Sequence, residues 1–119
     1  MDKSQAIYNF WSQFNLPVYD EYTVPNDAVL PYITYHESTG SMEDVLNLYA
    51  SLWYKSTSWE DVSKKADEIS KYIGVSRTIK FDDGYLYIVR GVPFAQRMDS
   101  GDDTVKRVYI NIQAEFLSA

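Results

Sequence analysis

Cysteine is absent from the 119 residues, so disulfides, thiolate nucleophiles and cysteine-bound zinc are excluded. Histidine occurs once, as His36, with no Ser and Asp at a spacing that would complete a nucleophile–base pair. Basic residues are few. Eleven Lys and Arg against 17 Asp and Glu give a net charge of −6, which repels phosphate backbones and anionic lipid, so neither nucleic acid nor membrane is an expected partner. No GxxxxGK[ST] or GxGxxG arrangement offers a phosphate cradle. No apolar run approaches the roughly 18 residues of a membrane span. The opening MDKSQAIYNFWSQF lacks the basic-then-apolar layout of a signal peptide, so synthesis in the cytoplasm is expected.

What is present is an ordinary globular composition, 45% hydrophobic and 24% charged, at a length that suits one domain over residues 1–119. Aromatic residues are in surplus, with 11 Tyr, 5 Phe and 3 Trp. A small core does not readily use that many. Some are expected at a surface that meets a partner, the plain alternative being a Tyr-rich sheet face in water.

Hydrophobic spacing orders the chain. Ile7, Phe10, Trp11 and Phe14 share one face of a helix over 3–15 that Pro17 ends. A connection follows, with a short extended piece at 18–22. Residues 32–38 alternate as a strand, and 43–54 form a longer one with Leu46, Leu48, Ala50, Leu52 and Tyr54 on its apolar side. Trp59, Val62, Ala66, Ile69 and Ile73 then repeat at helical spacing, with Thr57 and Glu60 as a capping pair and Gly74 as the stop. Residues 78–81 and 85–90 read as a hairpin about Asp83-Gly84, which sets Phe81 opposite Leu86 and Ile79 opposite Ile88. A final strand starts at Val105. The expected core is Phe10, Trp11, Phe14, Leu48, Leu52, Trp59, Val62, Ile69, Ile79, Phe81, Leu86, Ile88, Ile110 and Ile112.

The segment GVPFAQRMDSGDDT, residues 91–104, is too long for a simple hairpin turn and reads as a loop. Its apolar Val92, Phe94 and Met98 gain little by staying in water. With Arg97 and the acidic Asp102 and Asp103, they form the candidate contact surface for a neighbouring subunit or another partner. The pairs Asp82-Asp83 and Asp102-Asp103 lack the spaced carboxylates of a calcium loop; turn chemistry accounts for the first, and the second sits in a Gly/Ser/Asp segment typical of solvated loops. No catalytic, cofactor or metal-binding residue is assigned.

The order is thus α-β-β-α-β-β-β: an α+β domain in which an antiparallel sheet carries two helices on one face. Three segments together resemble the tail-terminator (tail completion) proteins of long-tailed siphophages and prophages: SLWYKSTSWEDVSKKADEI from Ser51 to Ile69, DDGYLYIVRGVPFAQRM from Asp82 to Met98, and VKRVYINIQAEFLSA from Val105 to Ala119. The resemblance implies a non-enzymatic virion protein without cofactors, made in the host bacterial cytoplasm and placed at the tail–neck junction. Its partners would be further copies of itself in a homo-hexameric ring, the tail tube protein, and the head-side connector or stopper protein. Such a ring caps the tube, ends its polymerisation and provides the head–tail joining surface. Another neck or head–tail completion protein of the same phage class is the nearest alternative. Two others remain: a metal-dependent hydrolase built on His36 and the Asp pairs, and a module that binds extended peptides at a sheet edge.

Overall fold

The computed structural model describes residues 1–40 and 44–118. Helix α1 is Lys3–Trp11. Its start is fixed by a reciprocal pair: the Gln5 amide donates to Asp2 Oδ1 at 2.8 Å, and the Asp2 amide donates to Gln5 Oε1 at 3.0 Å. The helix is shorter than expected. Residues Ser12–Phe14 tighten into a 3-10 turn, and Asn15, at a left-handed φ of 59°, ends it before Pro17 is reached.

Strand β1 (Val18–Asp20) pairs parallel with β2 (Tyr32–Tyr35), which pairs antiparallel with β3 (Val45–Lys55). The Glu43 end of the expected long strand lies outside the described residues. Helix α2 (Glu60–Ile73) buries Val62, Ala66, Ile69 and Ile73, the stripe its spacing predicts. Its capping differs. The helix begins two residues later than the Thr57–Glu60 pair requires, so Trp59 occupies the cap position without a side-chain bond and Ser58 Oγ accepts the Glu60 amide at 3.1 Å.

Strands β4 (Arg77–Phe81), β5 (Gly84–Met98) and β6 (Val105–Ser118) complete a six-stranded sheet in the order β1-β2-β3-β6-β5-β4. The class is α+β as expected, with β1 as an added strand in an otherwise antiparallel sheet and the chain order α-β-β-β-α-β-β-β.

The β4–β5 hairpin is shifted by two residues from its predicted register. Phe81 faces Gly84 and Ile79 faces Leu86, so Asp82 and Asp83 make the turn. A shift of two preserves faces, which is why Phe81, Leu86 and Ile88 are still buried. Gly84 serves packing rather than the turn: a Cβ there would lie 1.9 Å from the Leu117 carbonyl oxygen.

One cluster joins α1, α2 and the inner face of the sheet. Leu52, Leu86, Ile88 and Ile110 are fully buried, each a side chain whose burial is worth about 1.5–3 kcal/mol. Of the expected core residues, Trp59 and Ile79 are instead partly buried against its margin. Trp59 stands just ahead of the first turn of α2, beyond the reach of the packed helix face.

Candidate functional site

The segment expected as a loop is strand for half its length. Strand β5 continues to Met98, and its ladder with β6 breaks only between Arg90 and Ala95. Arg90 faces Ile112 and Ala95 faces Ile110, so residues 91–94 bulge opposite the single residue Asn111. Sequence explains the break. Gly91 allows close approach, since a Cβ there would lie 2.8 Å from the Asn111 Cβ, and Pro93 has no amide to give the ladder. Asn111 Nδ2 donates to the Pro93 carbonyl at 3.3 Å and ties the bulge down.

The six candidate contact residues do not form one patch. Val92, at 98% exposure, projects from the bulge, whereas Phe94 packs partly against the core. Alternation sends Arg97 to the helix side of the sheet, where its guanidinium lies 4.8 Å from the Trp59 ring centroid, and Met98 to the other side.

Asp102 and Asp103 sit in the β5–β6 turn. Asp102 Oδ1 accepts the Thr104 amide at 2.8 Å and its hydroxyl at 2.7 Å; these two bonds hold the Asp102 carboxyl below its ordinary value. The Asp103 carbonyl accepts Lys106 Nζ at 2.8 Å. The pair shapes the turn. Among the described residues, no three His, Cys, Asp or Glu side chains are grouped to hold a metal ion, and no helix is long and apolar enough to cross a membrane.

The surplus aromatics occupy the sheet face turned away from the helices. Tyr19 and Tyr32 meet edge to face at 5.5 Å. Arg107 lies 4.7 Å over Trp53 while its Nε donates to Ser51 Oγ at 3.0 Å, and Trp53 Nε1 donates to Thr34 Oγ1 at 2.9 Å. These bonds satisfy Ser51 and Thr34, the buried polar side chains of the face. His36 stacks on Tyr49, and its Nδ1 meets Glu21 Oε1 at 3.1 Å. Burial, followed by the Glu21 carboxylate, holds the phenols of Tyr49 and Tyr109 above their ordinary value. Sequence alternation placed Tyr32, Thr34 and His36 on one side of their strand. It carried no signal for the cross-strand partners Glu21, Trp53 and Arg107, which depend on strand order.

No family model matches the chain, and no curated protein matches it by sequence. Among solved structures, it is similar to a chain from the virion of a native gene transfer agent particle. The two superpose with a TM-score of 0.57 at 14% identity, over 95% of this chain and 92% of that one. The likeness spans both helices and the sheet, so the two chains share a fold.

Proposed function

We propose that this chain is a structural subunit of a phage or phage-like virion, acting as a tail terminator. Copies form a homo-hexameric ring that caps the tail tube, stops its growth and presents its far side to the head-side connector. The likeness to a gene transfer agent virion chain across 95% of the sequence carries this reading. The sequence segments that resemble tail terminators favour that place within the particle. The exposed stretch of β5 around Val92 supports a subunit or tube contact, because a strand that leaves Val92, Gln96 and Arg97 in water is an open margin of the sheet.

Deleting the coding sequence from the phage or prophage that carries it tests the role. Loss of a terminator leaves tails of uncontrolled length. Tails of normal length that fail to join heads would instead make the chain a neck or head–tail completion protein. Normal, infectious particles would contradict both.

A further inference from the structure

Charge is divided across the sheet. Residues 4–54 contain no Lys or Arg but six carboxylates, and they supply β1, β2 and nearly all of β3. Arg77, Lys80, Arg90, Arg97, Lys106 and Arg107 all lie on β4, β5 and β6. The strand order places these halves at opposite lateral edges.

Three of the arginines line the helix side of the basic edge, each held by a neutral group of α2 or the residue before it. Arg77 lies 4.3 Å from the Tyr72 ring centroid and donates from Nε to the Tyr72 carbonyl. Arg90 Nη1 donates to Ser70 Oγ at 2.9 Å, and Arg97 covers Trp59. Between α2 and β5 lies an open groove of about 200 Å³, walled by Ser63 and Asp67 on the helix and by Ala95 and Arg97 on the strand. Among the described residues, no arginine belongs to an ion pair, although the chain is acidic. A guanidinium stacked on a ring or tied by one nitrogen keeps further N–H groups for a carboxylate and loses little freedom in binding it.

The backbone is also open there. Strand β4 pairs with β5 only as far as Ile88, so the remainder of β5 has no strand on its outer side among the described residues. At the other lateral edge, β1 is three residues long, and beyond it Tyr22 is 80% exposed and Asp27 exposed.

We propose that the α2–β5 groove, which Arg97 lines, together with Arg90 and Arg77 further along the same basic edge, receives the acidic β1 edge of a second copy of this chain. The contact joins unlike surfaces, so repetition runs head to tail and gives a ring when the rotation closes. The proposal deepens the virion-subunit reading and rests on it for its setting. A nucleic acid fits the groove poorly: Asp82 and Asp83 at one end of β5, and Asp99, Asp102 and Asp103 at the other, repel a polyanion running along the row.

Sedimentation of the full chain provides the test, using two charge-reversed variants checked for cooperative melting. Arg90→Glu with Arg97→Glu makes both edges acidic, and Asp20→Lys with Asp27→Lys makes both basic. The parent is expected to self-associate, and less so as salt rises. Each variant alone should remain monomeric, while an equimolar mixture re-associates because every contact again joins opposite charges. Should the lysine variant not fold, Arg90→Gln with Arg97→Gln stands in: at least a tenfold weaker association is expected. A parent that stays monomeric, reversed variants that associate like the parent, a folded pair that does not re-associate, or an Arg→Gln variant as tight as the parent would each overturn the proposal. Failure of the contact is separable from failure of the virion reading, since uncontrolled tail length on deletion does not depend on which edges meet.

Discussion

The imidazole of His36 lies flat on the ring of Tyr49, with 4.5 Å between centroids and 7° between planes. Both rings are tied to Glu21 Oε1, by His36 Nδ1 at 3.1 Å and by the Tyr49 hydroxyl at 3.3 Å. The arrangement links β1, β2 and β3 and leaves His36 facing a carboxylate and a phenol. Replacement by alanine removes a stacked pair worth about 0.5–1.5 kcal/mol. His36→Ala is expected to lower the unfolding free energy from urea titration by that amount and to leave tail completion intact. A folded His36→Ala chain that produced tails of uncontrolled length would show that the residue does more than tie strands.

Gly84 gives a sharper stability test. Its missing side chain lets β5 pass the Leu117 carbonyl closer than any Cβ permits. Gly84→Ala forces backbone apart where β5 begins between the ends of β4 and β6, and overpacking of this kind costs about 1–3 kcal/mol. Denaturant unfolding should show a loss in that range with an unchanged slope. A variant as stable as the parent would contradict the β5–β6 register.

Much of this fold is legible in the sequence because alternation and helical spacing report which face of an element is buried. Alternation puts Ile79, Phe81, Leu86 and Ile88 on one face of the hairpin in either register, since a shift of two matches the side-chain period of two. The bulge at residues 91–94 was not legible: glycine and proline signal a break in local structure equally in a loop or a strand. Long-range pairing was also hidden. Nothing local in VYD announces a strand parallel to β2, or that Arg107 will lie over Trp53.

Asp102 makes stability depend on acid. Its carboxyl titrates below the ordinary 3.8 because the charged form accepts both Thr104 bonds. A lowered folded-state value means a stabilising contribution that is complete above the unfolded-state value near 4 and is lost as pH falls through the folded-state value. Asp102→Asn keeps an oxygen to accept the Thr104 amide but cannot ionise. Below about pH 4, urea midpoints of Asp102→Asn should therefore fall less steeply than those of the parent; parallel curves would contradict the assignment.

The bulge separates folding from assembly. Val92 is almost wholly exposed, so Val92→Ser should leave stability within about 0.5 kcal/mol. Phe94 packs partly against the core, and Phe94→Ser should cost on the order of 1 kcal/mol or more. Both changes are expected to weaken self-association or tube capping, measured by sedimentation and by tail-length counts. Assembly unaffected in the Val92→Ser chain would remove the bulge from the contact surface.

The claim that the chain is a tail-terminator subunit is tested most directly by locating it in the particle. A short peptide tag on the chain, labelled with gold in purified virions and imaged by electron microscopy, reports its position. The account predicts one cluster of label per particle, at the junction between head and tail; label on the capsid shell, along the tube or at the distal tip, or none on intact particles, would contradict it.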